Sequence, residues 1–233
     1  MPDTATILLA PILILQGKWL RWRLPKLPEA AGDRQGRIGI GNKQPLSLMI
    51  VGDSAAAGVG VAQQQQALSG QLANHLSQQF DLTWQLRAQS GLKTAETEQI
   101  LTGELTEEFD VLVISLGVND AKSTDSAKRW LQQLNTVVEQ LRNETKPRLI
   151  LIAELPPMGR FPKFPQPLRA WLGWRANTFN RHLRQWVQQQ PNTELTSVPE
   201  LGADLAIDGL HPGANTYRLW GQAVAERITQ RLG

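Results

Sequence analysis

Leu46-Ser47-Leu48-Met49-Ile50-Val51-Gly52-Asp53-Ser54-Ala55-Ala56-Ala57-Gly58 is the stretch on which the reading of this chain turns. Leu46 to Gly52 form a short apolar run closed by turn residues, the pattern of a buried strand. Asp53 to Gly58 form a loop of small residues. Ser54 therefore stands where a strand stops. A serine there is a candidate nucleophile if the rest of the chain supplies a base and an oxyanion site.

Working outward, strand and helix patterns alternate. Residues 61–80 carry Ala67, Leu68, Leu72, Leu76 and Phe80 near one face, which predicts a helix. Residues 82–89 alternate as a second strand, followed by the loop Ser90-Gly91-Leu92-Lys93-Thr94. A helix over about 94–105 leads to the strand 110–116, which ends in Gly117-Val118-Asn119-Asp120. A helix over 124–143, a strand over 148–155 and a proline-rich loop over 156–167 follow. A helix over 168–189, a strand near 193–198 and a last helix over 214–231 complete the chain. Strands alternating with helices predict a parallel sheet covered on both faces, and right-handed crossovers make it doubly wound. In such sheets sites form at the carboxyl ends of the strands. The loops of Ser54, Gly91 and Asn119 all fall at that edge.

The 233 residues, 41% of them hydrophobic, are enough for one core. With no cysteine, disulfides, thiolate metal sites and a cysteine nucleophile are excluded. The spacing of the three histidines, His75, His182 and His211, suggests no metal site. The net charge of +3 is uneven: residues 1–45 hold seven Lys/Arg against three acids, so the remainder sums to −1. The body is therefore not a nucleic-acid binder by charge.

A serine hydroxyl needs a base, usually a histidine oriented by a carboxylate. Only His211 follows an acid closely in a loop before a helix, with Asp208 three positions earlier. Asp53 and Asp120 compete as the acid; a capping role in their own loops suits them better. The backbone N–H groups of Ser54 and Gly91 and the side-chain amide of Asn119 are candidate oxyanion donors. Asn119 is also a good turn residue, and His211 before Pro212 a good helix-entry residue.

Together, Gly52-Asp53-Ser54, Ser90-Gly91, Gly117-Val118-Asn119-Asp120 and Asp208-Gly209-Leu210-His211-Pro212 resemble the four motif blocks of the SGNH (GDSL-type) hydrolases, in order, over about residues 46–231. The resemblance implies a flavodoxin-like three-layer αβα fold and serine-esterase or lipase chemistry through an acyl-enzyme, without metal or cofactor. It implies Ser54 as nucleophile, His211 as base, Asp208 as orienting acid, and Ser54 N–H, Gly91 N–H and Asn119 as oxyanion donors. Ala55 departs from the family name, which has Leu there. The implied substrates include carboxylic esters, thioesters, lysophospholipids and acetylated sugars.

Three rivals stand against this reading. An α/β-hydrolase elbow needs Gly-x-Ser-x-Gly, and position 56 is Ala. A dinucleotide loop needs a third glycine where Gln63 stands, and no Gly-Lys-Ser/Thr follows. A non-catalytic binding module on the same fold is the third. On the substrate side, Phe161, Phe164 and Trp171, with Leu168, Leu172 and Trp174, are candidates for one wall of an acyl pocket. Arg160, Lys163 and Arg169 add positive charge nearby. Plain packing is the alternative for the tryptophans.

The division expected is an N-terminal arm and linker, 1–45, and a hydrolase domain, 46–233. The apolar run 5–15 is too short to span a bilayer, and the absence of basic residues before it speaks against a secretory signal. A cytoplasmic location is the expectation. Lys18-Trp19-Leu20-Arg21-Trp22-Arg23-Leu24-Pro25-Lys26 interleaves basic and aromatic residues, a composition suited to peripheral membrane contact through residues 5–26. An arm packed on the body, its basic stems covering apolar surface, is the alternative. Residues 28–45 read as a linker.

Overall fold

The computed structural model describes residues 4–101, 108–199 and 204–233. The chain begins with α1 (Thr4–Arg23), then β1 (Gln35–Ile38), β2 (Gln44–Gly52), α2 (Leu68–Leu76) and β3 (Phe80–Ala88). β4 (Val111–Ser115), α3 (Val118–Ala121), α4 (Ala127–Thr145) and β5 (Leu149–Ala153) follow. α5 (Leu168–Val187), β6 (Thr193–Thr196) and α6 (Ala214–Leu232) complete it.

The six strands form one sheet in the order β1-β3-β2-β4-β5-β6. The five strands from β2 to β6 run parallel, as expected of a doubly wound sheet. β2 is the switch point: the chain steps from it to β3 on one side, then crosses back to β4 on its other side.

Alternation along each strand divides the core into two layers. Met49 and Val51 of β2, Leu112 and Ile114 of β4, and Ile150 and Ile152 of β5 face α4 and α5. Leu48 and Ile50, Val111 and Val113, and Leu149 and Leu151 face α2 and α6. Successive strand residues point to opposite faces, so each strand must be apolar throughout. The result is a three-layer α/β fold.

Several expectations need correction. Residues 28–45 are not a free linker. β1 adds an antiparallel edge strand beside β3, Gln35 opposite Gln85 and Ile38 opposite Leu82. Ala30 is buried, donating its N–H to Ala57 O at 3.2 Å. Glycine-rich, charged composition does not distinguish an edge strand from a linker, because an edge strand needs only backbone partners on one side.

The helix expected over 61–80 is shorter. A 3-10 turn at Gln64–Gln66 precedes α2, and Ala67 between them is extended (φ −82°, ψ 175°). Phe80, at helical spacing from Leu76, opens β3 instead, opposite Gln44. The helix expected over 94–105 is a 3-10 helix at Thr94–Gln99; the rest of that span, from residue 102, lies outside the described residues. The arm is a helix, α1, whose Leu13 and Leu20 are buried with α5 in the α4/α5 layer.

Candidate active site

Gly52 ends β2 with no room for a side chain. A Cβ there would lie 2.5 Å from Ala56 Cβ and 2.8 Å from Ser115 O. The chain therefore turns sharply into Asp53 and Ser54. Asp53 N–H donates to Ser115 O at 3.1 Å, Ala57 N–H to Asp53 O at 2.9 Å and Val59 N–H to Ser54 O at 3.0 Å. Asp53 Oδ1 accepts Ala55 N–H at 3.1 Å, a local turn bond. From the far side the buried Tyr217 hydroxyl lies 3.0 Å from Ala55 O and 2.8 Å from Val59 O.

The segment around Ala30 is tied to the same loop through Gln64. Gln64 Nε2 donates to both Ala30 O and Ala57 O, each at 3.1 Å. Ser69 Oγ donates to Gln64 Oε1 at 2.7 Å, so the buried amide is satisfied at both ends.

Opposite Ser54 stands the loop of Asp208 and His211. His211 Nε2 is 2.9 Å from Ser54 Oγ, and His211 Nδ1 is 2.5 Å from Asp208 Oδ2. The other carboxylate oxygen accepts the backbone N–H groups of Leu210 (3.0 Å) and His211 (3.1 Å). Burial raises the Asp208 pKa. The hydrogen bonds from His211 and the two backbone amides outweigh it and hold the carboxyl below its ordinary value. Ala206 N–H to His211 O at 2.9 Å closes the loop. Asp204 clamps its base, accepting Thr216 N–H at 2.8 Å. His75 lies on α2 and His182 on α5, where Nδ1 of His182 is 2.9 Å from Thr178 O.

The loops of Gly91 and Asn119 are tied to each other. Asn119 Nδ2 donates to Leu92 O at 2.9 Å and reaches Asp53 Oδ2 at 3.4 Å. Asp120, fully buried, accepts Thr94 Oγ1 at 2.9 Å, and Trp130 Nε1 donates to the same hydroxyl at 3.1 Å. Gly117 takes φ +122° with the Trp130 ring against it, a backbone only glycine adopts readily. Gly91 takes φ +83° and is exposed. Ser90 N–H donates to Glu29 Oε1 at 2.6 Å, and Glu29 in turn pairs with Arg34.

The cavity beside Ser54 and His211 is walled by Leu116, Val118, Leu155, Met158, Phe161 and Phe164, with Trp220 and Val198 among its other lining residues. Phe161 and Phe164 pack edge to face, ring centroids 5.4 Å apart. Trp171 is not in this wall. It packs on the core beneath the Arg175 guanidinium, 5.2 Å from its ring. Leu168 and Leu172 are core residues and Trp174 is on the surface. The wall is made by the loop before α5, and α5 itself contributes none of the lining. Lys163 donates to Ile207 O, and its stem lies over Gly209, so it straps the Asp208 loop. Gly91 and Asn119 do not line this cavity.

Two groups do more in the structure than the sequence suggested. Asp53 is buried between its own loop and Asn119; burial pushes its carboxyl up to about 6, against the Ala55 N–H and the nearby Lys122 and His211. Arg175 donates to the carbonyls of Ala121 (2.8 Å), Ser123 (3.1 Å) and Asp125 (2.5 Å), fixing the end of α3 from α5. Arg175 belongs to no motif; Asp53 stands inside the Gly52-Asp53-Ser54 block, but the block does not show its burial.

The chain also matches a known family. The GDSL-like lipase/acylhydrolase family matches residues 50–219. The chain is 25% identical over 207 residues to a GDSL-like esterase of Mycobacterium tuberculosis, covering 80% of this chain and 64% of that protein's length. It is similar in fold to a carbohydrate acetylesterase family member from Sinorhizobium meliloti (TM-score 0.65, 18% identity, 81% of this chain and 99% of that one). It is also similar to the aryl esterase of M. smegmatis (TM-score 0.64, 17% identity, 80% and 100%). With the strand order, the four loops and the family match in agreement, the chain belongs to the GDSL-like lipase/acylhydrolase family of serine hydrolases.

Proposed function

We propose that the protein is a serine esterase that hydrolyses acyl esters through an acyl-enzyme on Ser54. One observation carries the reading: the unbroken run from Asp208 Oδ2 through His211 Nδ1 and Nε2 to Ser54 Oγ, at 2.5 and 2.9 Å. In this mechanism His211 Nε2 takes the Ser54 proton as Oγ bonds to the acyl carbon. The carbonyl electron pair moves onto oxygen. The intermediate collapses with His211 returning the proton to the leaving alcohol, and the acyl group stays on Ser54. Water then repeats the sequence, His211 again acting as base, and releases the acid. Asp208 fixes the imidazole tautomer and offsets its charge when protonated. The oxyanion is assigned to Ser54 N–H, Gly91 N–H and the Asn119 amide.

The aromatic and aliphatic wall supports acyl chains of several carbons over acetyl groups. A ladder of p-nitrophenyl esters from acetate to decanoate, run beside acetylated xylan, tests this. Turnover rising from acetate to an optimum at an intermediate chain length within the ladder is expected. A preference for acetylated xylan would assign the site to carbohydrate deacetylation instead, and activity confined to acyl thioesters would make it a thioesterase.

A further inference from the structure

The helix α1 covers only one of its two apolar faces. Leu9, Leu13 and Leu20 turn inward, as does Leu24 just past the helix end, Leu13 and Leu20 being buried against the α5 side of the core. Leu8, Ile12, Leu15, Trp19 and Trp22 are all exposed, Leu8 by 75% and Trp22 by 80%; Ile14 is exposed too, on another side of the helix. Steps of four, three, four and three residues keep these five side chains within an arc of about 80° on a helix. They form one continuous stripe about four turns long rather than scattered surface residues, and a stripe of that kind marks an interaction surface.

The charge on the same segment narrows the partner. Lys18, Arg21, Arg23 and Lys26 are exposed, and residues 4–28 contain no Asp or Glu. None of the four cations has an ion-pair partner among the described residues. Trp19 and Trp22 sit in the same turns as the cations. Indole rings favour the boundary between head groups and acyl chains, and cations favour an anionic surface. A second copy of this chain would offer the four cations no acid in α1 to meet.

We propose that α1 docks the protein onto anionic lipid bilayers, lying in the surface with the Leu8–Trp22 stripe in the acyl region and the basic residues at the phosphates. The helix lies on the surface rather than crossing it. No helix of the described residues is long and apolar enough to span. α1 is also bonded sideways to the body: Gln16 Nε2 donates to Gln166 O at 2.7 Å, and Gln16 Oε1 accepts Leu168 N–H at 3.1 Å. Those bonds attach it to the end of the loop that contributes Phe161 and Phe164. Burial above all, with the Arg21 charge of α1 as a lesser contribution, disfavours the charge of Lys122, which lines the cavity. Docking through α1 therefore holds the cavity wall close to the lipid. The docking itself does not depend on the hydrolase reading.

Flotation of the full chain with phosphatidylcholine vesicles, with and without phosphatidylglycerol, tests the proposal. The expected result is binding to the phosphatidylglycerol vesicles that weakens as salt rises. Trp19→Ala with Trp22→Ala should weaken it by at least about tenfold, leaving the melting temperature and soluble-ester turnover unchanged. Neutralising Lys18 or Arg23 to Gln should cost about fivefold each. Ser54→Ala should dock like the unaltered chain, which separates a failure of docking from a failure of catalysis. As a second readout, brominated phosphatidylglycerol should quench tryptophan fluorescence of the unaltered protein. No binding to anionic vesicles at low salt, or no effect of the double tryptophan change, would overturn the proposal. So would a dimer in light scattering that this change abolishes while vesicle binding persists; the occupant would then be a second copy.

Discussion

The side-chain amide of Asn119 reaches the carboxylate of Asp53, Nδ2 to Oδ2 at 3.4 Å, while donating at 2.9 Å to Leu92 O. One amide thus ties together the ends of β2 and β4 and the loop after β3. The bond to Leu92 is the shorter and fixes the amide; the hydrogen toward Asp53 is the more loosely held, and the proposed mechanism gives it to the oxyanion. Asn119→Ala should lower kcat by about 10²–10³-fold with KM little changed, the signature of a lost oxyanion donor. Equal losses in binding of the ground state would assign Asn119 to the scaffold alone.

Asp53 should leave a mark on the pH dependence of stability. Its folded pKa of about 6 lies above the ordinary carboxyl value of 3.8 because burial disfavours the charge. The sign follows: its contribution is fully present below pH 4 and is lost as pH rises through about 6, by about 3 kcal/mol in all. Asp208 runs the other way, its stabilisation falling away only in acid below the ordinary carboxyl range. Melting temperatures of the wild type and Asp53→Asn between pH 4 and pH 8 check this. The wild type should lose ground to the variant as pH rises to about 6, with no further change above.

Two glycines with positive φ should respond differently to alanine. Gly91→Ala (φ +83°) meets open space, so only the backbone penalty of about 1 kcal/mol applies. Gly117→Ala (φ +122°) drives a Cβ to 2.8 Å from the Trp130 ring, and that ring is fully buried. It should cost clearly more, about 2 kcal/mol or above, and should displace Asn119. Denaturant midpoints of the two variants give the comparison.

The acyl wall predicts a split between neighbouring aromatics. Phe161→Ala and Phe164→Ala should shift the chain-length profile of the ester ladder toward longer acyl groups. Trp171→Ala, which empties a place beneath Arg175 and not in the wall, should lower stability and leave the profile where it was.

Much of this fold could be read from the sequence because each central strand is buried on both faces. Leu46 to Val51, Val111 to Ser115 and Leu149 to Ala153 therefore appear as short apolar runs. β1 could not be read this way. An edge strand pairs through its backbone on one side, and Gln35-Gly36-Arg37-Ile38 carries no apolar pattern. The motif residues Ser54, Asp208 and His211 stood out because their chemistry needs particular side chains in a set order. Gln64, Tyr217 and Arg175 did not, since each acts by donating to backbone carbonyls far away in sequence, and nothing local distinguishes such a donor. Trp171 failed as a pocket residue for a different reason: the wall comes from the loop before α5 and stops at Phe164, and nearness in sequence does not show where it stops.

The central claim is that Ser54 is the nucleophile activated by His211. Labelling with a fluorophosphonate, followed by mass spectrometry of the digested protein, tests it directly. The account predicts a single adduct on Ser54, abolished by Ser54→Ala and slowed by about 10³-fold or more in His211→Ala, with His75→Ala and His182→Ala labelling normally. An adduct on another residue, or undiminished ester turnover in Ser54→Ala, would contradict it.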